Sequence, residues 1–212
     1  MSSVAITGNA AGAGVFTIAS PNSASSFTAT LPAATTTLVG TDATQTLTNK
    51  TIQGGAITSG TAVASTSGTS IDFTGIPSWV KRITVMLSGV STNGTTNVSI
   101  QLGTGAGPTF VATGYNSPML TTGASTINTQ LGTIGFPIIN PSGAAITASG
   151  TFVLTNLTGN TWTGLGSTGE TGGTRMFLTS GSLALGAVLT AVRITINGTE
   201  TFDAGSINLL FE

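Results

Sequence analysis

The chain contains no histidine and no cysteine. Without histidine it has no imidazole general base, no Ser-His-Asp relay and no usual zinc ligand. Without cysteine it has no disulfide, no thiolate nucleophile and no Cys-bound metal. Charge is nearly missing too. Of 212 residues, five are Lys or Arg and six are Asp or Glu, so charged residues make up 5%, against about 25% in ordinary domains. So small a basic content argues against a nucleic-acid partner, whose phosphates need a basic patch, and against electrostatic attachment to a membrane. The opening MSSVAITGN lacks the basic and apolar regions of a Sec-type signal. The longest mainly apolar run, Leu183 to Val192, is shorter than the about 20 residues a spanning helix needs. No cofactor, no catalysis and no membrane insertion is expected.

What is present is threonine, serine, asparagine and 30 glycines between short apolar words. Residues 1–62 carry few large side chains, in snatches such as VAITG, SFTATLP and QTLTNKTI. Their spacing suits short strands broken by Gly and Pro. So short a segment has too little core to stand alone, and association with other copies is the remaining way to bury it. Residues 63–212 predict a compact all-β domain. Apolar residues alternate at Ile83, Val85 and Leu87, at Val98, Ile100 and Leu102, at Val192, Ile194 and Ile196, and at Ile207, Leu209 and Phe211, which puts each set on one face of a strand. STNG (Ser91 to Gly94) and INGTETFDAG read as hairpin turns. Eight to ten short strands at this spacing predict an antiparallel sandwich or jelly roll. Gly159 to Gly173 reads as a long mobile loop.

Few residues invite chemistry. Gly164, Gly166 and Gly169 match GxGxxG, but no helix follows to bind a phosphate. The N-x-[ST] words at Asn49, Asn93, Asn97, Asn156 and Asn197 are expected by chance in a Thr-rich chain. Glu200 and Asp203 are the closest carboxylates and read as a solvated turn rather than a glycosidase pair. Asp72 is expected to pair with Lys81 or Arg82 across one turn. Aromatic faces suit sugar rings, which makes Trp162 and Tyr115 candidate glycan contacts. Trp79, after the turn-fixing Pro77, is expected to pack over a sheet edge or at an interface.

The string TLPAATTTLVGTDATQTLTNKTI (Thr30 to Ile52) resembles a segment common in fibre-like structural proteins of tailed bacteriophages. TSIDFTGIPSWVKRITVMLSGVSTNGT (Thr69 to Thr95) and the closing FDAGSINLLFE are similar to the start and finish of a β domain found in phage tail-fibre proteins. The resemblance implies a virion fibre or spike protein, homotrimeric, with a slender N-terminal shaft or attachment segment and a distal β knob. It implies other virion proteins as partners, at the tail, collar or head, and host surface polysaccharide as a ligand of the knob. The alternative is head or collar decoration, or an adaptor, without receptor binding. In this frame TLTNKTI is the junction word: Leu47 and Ile52 turn inward, Lys50 pairs with Asp42, and Trp79 joins them as a trimer or junction contact.

Overall fold

The chain divides into two compact units, Met1–Lys50 and Thr51–Glu212. The computed structural model describes residues 57–212 except 124–126 and 145, together with residues 12 and 24–26. The expectations for Leu47, Lys50, Ile52 and Asp42 lie outside the described residues.

The described part of the second unit is all-β, with strands and turns and no helix. Two short strands open it, β1 (Thr58–Ser59) and β2 (Val63–Ala64). β3 (Ser70–Thr74) leads through GIPSWVK to β4 (Arg82–Thr92). Then come β5 (Val98–Thr104), β6 (Thr109–Phe110), β7 (Ser117–Thr122), β8 (Ile127–Gly132) and β9 (Phe136–Ile139). Three long neighbours follow, β10 (Thr147–Thr158), β11 (Thr161–Thr171) and β12 (Met176–Ala184). β13 (Leu189–Ile196) and β14 (Phe202–Phe211) close the chain. The strands are more numerous than the eight to ten expected, and several are long.

They form two antiparallel sheets. The larger runs β1-β14-β4-β10-β11-β12-β7-β8, with β2 also on β14. The smaller runs β3-β13-β5-β6, with β9 also on β5. A single core lies between them. Ile83, Val85, Phe152, Leu154 and Phe177 come from the large sheet, and Val98, Ile100, Phe136, Val192 and Ile194 from the small one. The alternating positions named from sequence are buried, Phe211 only partly, because each strand puts every second residue on its inner face. Full burial of a side chain such as Phe136 or Phe152 contributes about 1.5–3 kcal/mol. Phe136 meets Phe152 at 5.4 Å and Tyr115 edge-on at 5.0 Å between ring centroids. Two buried threonines of the large sheet tie down β9. Thr179 Oγ1 donates to the Pro137 carbonyl at 2.6 Å, and Thr168 Oγ1 donates to the Ile138 carbonyl.

The two turn words expected to make hairpins do something else. β4 and β5 belong to opposite sheets, as do β13 and β14. The stretches Asn93–Asn97 and Asn197–Thr201 are therefore arches that carry the chain from sheet to sheet, side by side. Asn93 N donates to the Thr201 carbonyl at 3.0 Å, and Asn197 N to the Asn97 carbonyl at 2.9 Å. A turn signal fixes where the chain bends, not which sheet receives it. The true two-residue hairpin is Gly159–Asn160 between β10 and β11, with Gly159 at φ 51°, a left-handed value that suits such tight connections.

Gly159–Gly173 is correspondingly not a mobile loop: most of it is β11, in the middle of the large sheet. Its inward positions are Trp162, Gly164, Gly166 and Thr168. The glycines leave room for the Phe152 ring of the neighbouring strand. A Cβ on Gly164 would sit 2.5 Å from Phe152 Cε1, and one on Gly166 would sit 2.5 Å from Phe152 Cα. The strand alternates, but its apolar bulk is supplied by Phe152.

The large sheet is bent by aligned irregularities. Its register shifts at Ala204–Ser206 of β14 and at Ala148–Gly150 of β10, both against β4 near Gly89. Gly89 has φ 61° and Gly205 φ 97°, and Gly89 N donates to Ser149 Oγ at 2.9 Å. Such bulges raise local twist and bend the strand. A Cβ on Gly205 would lie 2.5 Å from the Gly89 carbonyl. Gly205→Ala is therefore expected to cost about 2–5 kcal/mol, from left-handed strain and overpacking together. Gly172, at φ 79° with nothing within 4 Å, carries only the first penalty, so Gly172→Ala is expected to cost about 1–2 kcal/mol. Urea unfolding of the two variants measures the difference; equal losses would contradict close packing at Gly205.

Candidate functional site

The aromatic candidates separate. Tyr115 and Trp162 are each 4% exposed and belong to the core. Tyr115 Oη accepts a hydrogen bond from Leu102 N at 2.8 Å, and burial pushes its phenol well above its ordinary value. Neither ring offers a face to a sugar, which corrects their assignment as glycan contacts. Tyr115 completes the backbone pairing of β5, and Trp162 occupies an inward position of β11. Trp79 is 54% exposed and leans on Phe211 with ring centroids 6.2 Å apart. It stands where β14 ends, in the turn in which Val80 N donates to the Pro77 carbonyl at 3.1 Å.

The charged candidates are also rearranged. Asp72 pairs with Arg193 at 2.7 and 2.8 Å, not with Lys81 or Arg82. The β3–β13 register puts Arg193 directly opposite Asp72. The guanidinium also lies 4.0 Å from the Phe110 ring centroid, and hydrogen bonding to Asp72 holds its pKa above the ordinary value. Arg82 pairs with Glu212 at 2.9 Å, and Lys81 Nζ donates to Asn156 Oδ1 at 3.3 Å. Asp203 lies on β14 rather than in a turn. Glu200 stands in the second arch, accepting from Thr96 Oγ1. That bond, aided by backbone donors, lowers its carboxyl pKa. Gly94 and Gly198 make room for the Glu200 side chain, which gives the STNG glycine a steric role.

The two arches and β8 line an open cleft of about 420 Å³. The first arch supplies Thr95, Thr96 and Asn97, and the second supplies Asn197. Gln130 and Leu131 of β8, with Ile134 and Pro137, complete the walls. Gln101 Nε2 donates to the Ile134 carbonyl at 2.8 Å and fixes that wall. Asn197 Nδ2 donates to Ser99 Oγ at 2.9 Å, while Asn197 Oδ1 is enclosed without a hydrogen-bond partner. The lining mixes amides and hydroxyls with Leu, Ile and Pro surfaces and holds no charged side chain. That chemistry suits a neutral polyhydroxylated ligand. The cleft draws on residues 95–97, 130–137 and 197, so no local motif announces it. Among the described residues no cluster of three or more acidic side chains could hold a metal ion.

No protein-family model, curated protein or solved structure matches the chain.

Tyr115→Phe removes the acceptor of a buried N–H and is expected to cost about 1–3 kcal/mol of stability. Urea unfolding reads the loss. An unchanged midpoint would show that Leu102 N has another partner.

Proposed function

We propose that this chain is a virion fibre protein of a tailed phage, a homotrimer that attaches by residues 1–62 and presents residues 63–212 to the host surface. The observation that carries the reading is the polarity of the knob. The chain enters at β1, where Thr58 pairs with Phe211, and Phe211 pairs with Ile83 at the start of β4. The arches, with the Thr95, Thr96, Asn97 and Asn197 walls of the cleft, lie at the other end of β4, beyond Thr92. The entry strand and the arches therefore lie at opposite ends of β4. The phage-like words from Thr30 to Ile52 stand just before the entry and support attachment there.

The ligand of the cleft is host surface polysaccharide, bound through hydroxyls to Asn97, Gln130 and Thr95 with its C–H faces on Leu131 and Pro137. Single sites of this kind are weak, and threefold repetition raises avidity when geometry allows simultaneous engagement. Replacing Asn97 and Gln130 by Ala is expected to weaken binding to immobilised host polysaccharide. Each lost hydrogen bond is worth about 1 kcal/mol, or about fivefold per site. Particles lacking residues 63–212 are expected to lose adsorption to host cells. Normal adsorption of such particles would overturn the receptor-binding reading in favour of a purely structural fibre or adaptor.

A further inference from the structure

In a β-sheet, directly paired residues share a face. On the outer face of the large sheet, Val153 pairs with Leu165, Ser167 with Leu178, and Leu178 with Leu120. Pro118 then pairs with Leu131, and Thr122 with Ile127, on β8. Leu165, Met176, Leu178, Ile127 and Leu131 are 49–73% exposed. Across β10, β11, β12, β7 and β8 the sole charged residue is Glu170. It lies opposite fully buried Ala148, on the inner side, and accepts from Ser142 Oγ at 3.1 Å. The outer face of these five strands therefore carries no charge. The outer face of the small sheet differs: it carries the Asp72–Arg193 ion pair and the Arg193–Phe110 contact. One face carries paired charge, and the other, over these five strands, carries none.

We infer that the outer face of β10, β11, β12, β7 and β8 is where copies of this chain pack on one another, an assignment that rests on the homotrimeric reading above. Two physical points select a second copy as occupant. The first is charge. A partner of ordinary charge content would press unpaired charges onto a face that has none, and burying an ion uncompensated costs several kcal/mol. A copy of this chain brings an equally uncharged, threonine-lined face. The second is size. The five strands hold 6 to 12 residues each. At about 4.8 Å between strands and about 3.3 Å per residue, they cover about 700 Å². A standard interface takes about 600–1,000 Å² from each partner. Charges return only on β4 and β14, at Arg82 and Asp203, where they form a rim as interfaces commonly do.

The test uses the full chain. Wild type is expected to sediment as a trimer at micromolar concentration. Leu165→Lys combined with Leu178→Lys is expected to sediment as a monomer with an unchanged β-type circular dichroism spectrum. Thr195→Lys, on the outer face of the small sheet, is expected to remain trimeric. Should the double variant not fold, the absence of native cysteine offers a milder probe. The single thiol of Ser167→Cys is expected to react with maleimide slowly in concentrated protein and quickly on dilution. Thr195→Cys is expected to react equally in both. A double variant that keeps the wild-type mass, or a Ser167→Cys thiol indifferent to concentration, overturns this face while leaving a trimer built through residues 1–62. A monomeric wild type overturns the homotrimeric reading itself.

Discussion

Near-absence of charge is the constraint on which the rest of this structure depends. With five basic and six acidic residues in 212, neither solubility nor pairing can rest on ion pairs. The described residues form two, Asp72–Arg193 and Arg82–Glu212. Polar matching falls instead to threonine hydroxyls and amides. Thr168 and Thr179 satisfy carbonyls of β9 across the core, and Asn93 and Asn197 stitch the arches. The same scarcity leaves the outer face of the large sheet without the charged side chains that normally keep sheet surfaces apart. An interior satisfied by neutral hydrogen bonds and an exterior with little repulsion are two results of one composition.

Glycine is the second device. Thirty glycines weaken local strand preference, yet β11 and β12 pair over nine residues without a register shift. The exchange is steric. Gly164 and Gly166 give up their side-chain volume to Phe152, so one ring fills space on two strands. Gly181 does the same for the backbone of Asn116 and the side chain of Ser117. At Gly89 and Gly205 the glycines let two backbones touch where the sheet bends. Removing a Cβ thus sets both the packing of the centre and the curvature of the edge.

This explains what the sequence revealed and what it hid. Strands whose inward residues are large and aliphatic, such as β4, β5 and β13, were legible because the period of two appears directly in the letters. β11 was hidden because its inward letters after Trp162 are glycine and threonine, and the ring that completes them lies on β10. The arches were legible as bends and misread as hairpins, since local turn chemistry carries no information about sheet membership. Asp72 found a partner 121 positions away, through register rather than proximity in sequence. Tyr115 and Trp162 were placed outside because sugar stacking and core packing require the same rings. Only the fold shows that these two are enclosed while Trp79 is half open. The cleft was illegible for the plainest reason: its walls come from three distant segments.

The proposed arrangement, a β knob packed against its own copies and presented outward, rests on the entry strand at one end of β4, the arches at the other and the uncharged outer face. Electron cryomicroscopy of the assembled full-length protein tests that arrangement most directly. The expected image has three knobs about one axis, each with its nine-stranded sheet toward the axis, its five-stranded sheet toward solvent and the two arches at the tip. Separate knobs, or knobs that meet through the sheet bearing Asp72 and Arg193, would contradict it.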